Sequence, residues 1–211
     1  MTSPADMVLA LPGLKATGAA FIQALWNMAQ RNGWDPSGIA LLIASESGFR
    51  ADAKNPDPNS TATGLIQFIE KTAIGLGTTT AAIRNMSAIE QLPLVEKYLR
   101  QSLKSKVPDR IEDYKFAVLG RPDLIGASDD TVIFPGSSDP KSAYQMNRRF
   151  DKTNRGNINV GDIRQKMRNI LSSAGGYIDV KKLAVAGGAI ELALLLGGLG
   201  WAFLRSRRAR A

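Results

Sequence analysis

The chain has 211 residues, 44% of them apolar, enough for one domain of ordinary size with an appendage. It contains neither cysteine nor histidine, which excludes disulfides, thiol nucleophiles, Ser-His-Asp chemistry and histidine-ligated zinc, and leaves acid–base work to carboxylates, lysine, tyrosine or a bound cofactor. The net charge of +8 is uneven: Lys181, Lys182, Arg205, Arg207, Arg208 and Arg210 face only Glu191 at the C-terminal end, a basic tail suited to anionic lipid, nucleic acid or an anionic wall polymer.

Residues 1–13 read as an N-terminal extension without the charged and apolar regions of a secretory signal. A first helix is expected from Leu14 to Arg31, with Phe21, Ala24, Leu25 and Met28 on one face, ended by Asn32 and Gly33. Asp35-Pro36 is a cap followed by proline at the first helical position. It opens a second helix, Ser37 to Ser47, whose Ile39, Leu41, Leu42 and Ile43 mark it as buried nearly all round, with Gly48 as terminator.

Residues 49–63 read as loop and Gly64–Phe68 as a short extended piece. Further helices are expected at 69–75, 79–85, 88–103, 110–119 and 160–173, the third behind a Ser87–Glu90 capping box. Residues 120–140 read as loop, with one short strand at most around Val132–Phe134. The body at 14–180 is therefore mainly α, with little sheet.

Residues 183–204 form a run with one charge, Glu191, closed by Arg205-Ser206-Arg207-Arg208. About 20 helical residues cross a bilayer core, so a C-terminal transmembrane helix is expected, followed by a basic tail at 205–211. The flanking charges favour a cytoplasmic C-terminus and an outward-facing body. Gly187, Gly188, Gly197, Gly198 and Gly200 offer small surfaces for a homo-oligomer. Nucleic acid is an unfavoured partner, because a membrane stop accounts for the arginines and no aromatic residues interleave them.

Glu46 carries the chemistry. It stands in the last turn of the buried helix, where apolar surroundings and the negative end of the dipole both disfavour a carboxylate, as a glycosidase acid requires. Glu46-Ser47-Gly48-Phe49-Arg50-Ala51-Asp52-Ala53-Lys54-Asn55, followed by Ala62-Thr63-Gly64-Leu65-Ile66-Gln67-Phe68, resembles the two leading motifs of soluble lytic transglycosylase domains, which share a goose-lysozyme-like fold. The resemblance covers residues 20–120, with Ile66 in place of a methionine. Residues 110–165, with Asp113-Tyr114-Lys115-Phe116 and Ser142-Ala143-Tyr144-Gln145, resemble the phage-associated variant, although the common third motif is absent.

The resemblance implies an α+β lysozyme-like fold of mainly helical content and a peptidoglycan substrate cut between N-acetylmuramic acid and N-acetylglucosamine. Glu46 would act as acid and then base, giving a 1,6-anhydro product without a cofactor. Ser47, Gln67, Phe68, Tyr114 and Tyr144 would bind or line the cleft. Asp151 to Asp162 resembles a calcium loop, but Thr153 and Arg155 replace ligands, so a turn without a metal is expected.

The favoured expectation is a virion-associated, membrane-anchored enzyme in a virion membrane or host envelope, facing the wall. One alternative is a lysozyme-type hydrolase using Asp52 or Asp57 as a second carboxylate. The other is a membrane-inserting channel or structural protein that keeps a wall-binding module.

Overall fold

The computed structural model describes residues 6–183. Residues 1–5 and all but the first residue of the expected span at 183–204, together with the tail at 205–211, lie outside the described residues. No helix of the described residues is long and apolar enough to cross a membrane.

The core is built on α1 (Ala19–Asn32), α2 (Pro36–Ser47) and α5 (Ala88–Leu103). The first helix begins five residues later than expected. A 3-10 turn at Lys15–Thr17 precedes it, and Gly18 adopts φ 85°, which breaks the helical path. Gly33 in the left-handed region closes α1, its N–H donating to the Ala29 and Gln30 carbonyls. Asp35 then caps α2 by accepting from the Ser37 N–H at 2.7 Å, with Pro36 at the first helical position. Ile39 to Ile43 are all fully buried, so α2 is the central helix and its C-terminal turn is delivered to a fixed place.

Shorter elements follow: α3 (Glu70–Gly75), α4 (Thr80–Arg84) and α6 (Tyr114–Val118). The expected helix at 110–119 is split into a 3-10 turn at Ile111–Asp113 and the brief α6. Gly64–Phe68 is a tight turn rather than an extended piece: Gly64 and Gln67 both have positive φ, and Thr63 pairs with Phe68 across it.

Two small antiparallel sheets complete the fold. Strand β1 (Met7–Leu9), in the segment read as an N-terminal extension, pairs with β4 (Tyr177–Asp179), and Val8, Leu9 and Leu11 join the main core. Strand β2 (Val132–Pro135) pairs with β3 (Asn157–Asn159). Around that second sheet, α7 (Ala143–Asn147) and α8 (Val160–Leu171) gather a separate apolar cluster of Phe116, Leu124, Ile133, Tyr144, Phe150, Ile158, Val160 and Ile163. The buried Arg164 on α8 holds this half to the 3-10 turn that precedes α6. Its guanidinium donates to both Asp113 oxygens at 2.7 and 2.8 Å, to the Ala127 carbonyl at 2.7 Å and to Asp129 at 2.6 Å.

Candidate active site

The last turn of α2 opens onto a 380 Å³ cleft where the two halves of the molecule meet. From the α2 side come Ser45, Glu46 and Ser47, with Arg50, Ala53, Lys54, Asn55, Pro56 and Gln67 from the loops that follow. From the other half come Lys115 on α6, Arg149 in a 3-10 turn and Lys166 on α8. Among the described residues, Glu46 is the single acidic one lining this cleft, against five cations.

The Glu46 carboxyl does not sit in the purely apolar setting that its place in the sequence suggested. The Lys115 ammonium donates directly to it, and both side chains are largely buried, at 5% exposure for Lys115 and 12% for Glu46. Desolvation strengthens such a pair and fixes the carboxyl in one orientation. Lys166 stands on the next element. Burial first, then the charges of Lys115 and Arg149, push its amine down to about 8. Its ammonium lies 4.7 Å from the centroid of the Phe150 ring, and the Arg149 guanidinium lies 5.4 Å from the same centroid. Burial, and next the Glu46 charge, push the Tyr98 hydroxyl up.

The two motif segments are knitted together behind Glu46. The Ser47 hydroxyl donates to the Ile43 carbonyl at 3.2 Å and to the Leu65 carbonyl at 2.9 Å, tying the helix end to the Gly64–Phe68 turn. Gln67, half-buried on the cleft wall, donates from Nε2 to the Gly64 carbonyl at 3.2 Å and the Ala53 carbonyl at 3.4 Å. Gln67 also borders a second hollow of 220 Å³ with Phe68, Tyr98 and Leu119. Phe68 itself is buried and packs edge-on against Tyr98.

Sequence reasoning missed the residue that clamps this turn. Gln91, wholly buried on α5, accepts from the Leu65 N–H at 2.8 Å and donates to the Ala51, Ile83 and Met86 carbonyls at 2.8, 3.1 and 3.2 Å. A β-carbon on Gly64 would come within 2.5 Å of the Gln91 side-chain oxygen, and Gly64 has φ 75°, so only glycine fits beneath the clamp. The available signal was a polar side chain on the apolar stripe of α5, one turn before Val95. Lys115 carried the same signal, a lone charge inside Tyr114-Lys115-Phe116-Ala117.

The two tyrosines expected in the cleft are placed elsewhere. Tyr114 is fully buried against Gly38, its hydroxyl accepting from the Asp35 N–H at 2.8 Å, and burial pushes that hydroxyl up to about 12. It steadies the start of α2, while its neighbour Lys115 reaches the end. Tyr144 lies in the second apolar cluster and donates to Asp151 at 2.9 Å. Asp52 and Asp57 are exposed and line no part of the cleft around Glu46. Asp52 borders a separate hollow with Lys54, Ala81, Arg84 and Asn85.

In the calcium-loop-like turn the carboxylates are engaged internally. Asp151 accepts from the Arg155 and Gly156 N–H groups, and the Arg155 guanidinium pairs with Asp162 at 2.5 Å. Among the described residues no group of three or more candidate metal-ligand side chains gathers.

Comparison with known families returns one match, and it falls on the α2 side of the cleft. Residues 24–91 match the Transglycosylase SLT domain. The SLT-matching segment runs from α1 to the start of α5, so it holds Glu46, Ser47, Gln67, Phe68 and the clamp Gln91. Lys115, Arg149 and Lys166, the opposite wall, lie beyond the SLT match. No curated protein and no solved structure matches the chain.

Proposed function

We propose that the protein is a peptidoglycan lytic transglycosylase in which Glu46 cleaves the bond between N-acetylmuramic acid and N-acetylglucosamine. The observation that carries the proposal is the place of Glu46: inside the SLT-matching segment, at the end of a buried helix, and on the wall of a cleft with Gln67. In this reading Lys115 holds the Glu46 carboxyl in one orientation. Glu46 gives a proton to the leaving oxygen as the glycosidic bond breaks, while the acetamido group of the substrate stabilises the cation at C1. Glu46 then takes the proton from the 6-hydroxyl of the same sugar as that oxygen closes on C1, leaving the anhydro ring. Gln67, fixed by two backbone carbonyls, is placed to hydrogen-bond the sugar.

A lone carboxylate favours this reaction over an inverting hydrolase, which needs a second carboxyl group roughly 6.5–9.5 Å from the first to activate water. Asp52 and Asp57 are outside the cleft. The proposal extends to setting: a virion-associated enzyme anchored through residues 183–204, with its cleft facing the wall. The support for this part is the apolar run with its basic stop and the phage-like order of motifs at 110–165.

Digestion of purified peptidoglycan by the full chain and by Glu46→Gln, with the released muropeptides weighed by mass spectrometry, tests the reaction. Products short of one water from the unsubstituted chain alone are expected. Hydrated products would move the chain to the lysozyme class, and absence of any release would overturn the enzyme reading.

A further inference from the structure

The wall of the cleft opposite Glu46 holds positive charge that the cleavage chemistry does not use. Lys115 is occupied by Glu46. Arg149 and Lys166 form no ion pair with a carboxylate among the described residues, yet both are drawn to one face of the molecule by the Phe150 ring. Two like charges gathered on one ring repel each other, and burying one of them adds a desolvation penalty. The lowered affinity of Lys166 for its proton records both costs. An arrangement that is unfavourable when empty becomes favourable when an anion sits between the cations, because each then gains a charge-assisted hydrogen bond in a partly dehydrated site.

We propose that Arg149 and Lys166 form a subsite for a carboxylate carried on the muramoyl arm of the glycan, so that the enzyme selects anionic over neutral strands. This rests on the glycan-cleaving reading of Glu46. The position fits: the muramoyl arm leaves the same sugar ring whose C1 reacts at Glu46, and the subsite faces Glu46 across one cleft. Two sources can supply the carboxylate, the lactyl acid of a peptide-free strand or the acids of a peptide stem. Arg149 and Lys166 lie outside the SLT-matching segment, so that match assigns neither of them a role.

The test is calorimetric binding to the full chain of N-acetylglucosaminyl-N-acetylmuramoyl ligands, which lack the bond to be cut. Three are compared: the disaccharide with its peptide stem, the same compound with its carboxyls converted to methylamides, and the peptide-free disaccharide with its free lactyl acid. The anionic stem compound is expected to bind about tenfold tighter than the methylamide, the worth of one charge-assisted hydrogen bond. Lys166→Met and, separately, the exposed Arg149→Gln are expected to shrink that preference several-fold, the anionic ligand losing more affinity than the methylamide. Tight binding of the peptide-free disaccharide assigns the carboxylate to the lactyl group, and weak binding assigns it to the stem. Equal affinity for the charged and methylamide stem compounds together with weak binding of the peptide-free disaccharide, an unchanged preference in both variants, or no binding of any ligand would overturn the subsite. Digestion of whole peptidoglycan reads the cleavage proposal apart from this one. A chain that cleaves without discriminating charge loses only the subsite, and one that discriminates without cleaving loses only the enzyme.

Discussion

Arg164→Met tests whether the cationic half of the cleft is held in place by a single buried ion pair. Arg164 and Asp113 are 0% and 1% exposed, and two parallel N–H···O bonds join them. The pair is fully dehydrated, and removing one partner strands the other. A buried charge left alone in this way costs about 3–5 kcal/mol. Asp113 would keep the Gly126 N–H, at 2.9 Å, which places the expected loss near the lower end, about 3 kcal/mol. The accompanying loss of Asp129 adds little, because that carboxylate is 48% exposed and screened by water. A chain of this size should melt roughly 6–12 °C lower for such a loss. Urea denaturation at pH 7 of the full chain, Arg164→Met, Asp113→Leu and the double variant measures the coupling. The double variant should recover much of what either single one loses, because no uncompensated charge remains. A single-variant loss below about 1 kcal/mol, or a double variant whose loss equals the sum of the singles, would refute the reasoning.

Two further outcomes follow from the same geometry. Gln91→Ala removes the acceptor for the Leu65 N–H and the donor to three carbonyls; a stability loss of about 2–4 kcal/mol is expected in urea titration, with muropeptide release falling as Gln67 loosens, and a fully active, stable variant would show that the clamp is dispensable. Lys166→Met should raise the melting temperature at pH 7, because the folded chain holds that lysine at about 8, below its ordinary value of 10.5, through burial and the charges of Lys115, Arg149 and Lys152, with Glu46 acting in the opposite sense. The unfolded state binds this proton more tightly, so the unsubstituted chain gains relative stability as pH rises from 8 towards 10.5; scanning calorimetry across that range should show the advantage of the variant shrinking, and an advantage independent of pH would sink the argument.

The helices that build the main core were legible because each announces itself locally. Asp35-Pro36 caps α2, Ser87 and Glu90 form the expected capping box on α5, and the apolar run Ile39–Ile43 is buried as its composition implies. The three-residue strands were not legible, since β1 and β4 pair across almost the whole length of the described chain. Short helices were ambiguous for a geometric reason. In the five-residue α6, neighbouring side chains point about 100° apart, so naming Tyr114 where Lys115 is the residue that reaches Glu46 is an error of a single position. Ser47 and Gln67, which border the same cleft, lie within twenty-one residues of Glu46 in a linear motif, so the sequence alone points to them. Gln91, Lys115, Arg149 and Lys166 reach the site only through tertiary packing.

The half of the molecule beyond residue 119 then acquires a purpose that its sequence alone did not suggest. Lys166 can oppose Glu46 only if α8 is fixed at its N-terminus as well as at Arg164. The loop that leads into α8 supplies this: Arg155 pairs with Asp162 in the first turn of the helix. Asp151 gathers two backbone N–H groups and the Tyr144 hydroxyl. Tyr144 therefore serves the cleft from one step behind it, by bracing the loop that aims α8, and Phe150 between them gives Arg149 and Lys166 a common surface. One half of the chain brings Glu46, the proposed acid, and the other brings the charge proposed to choose its substrate.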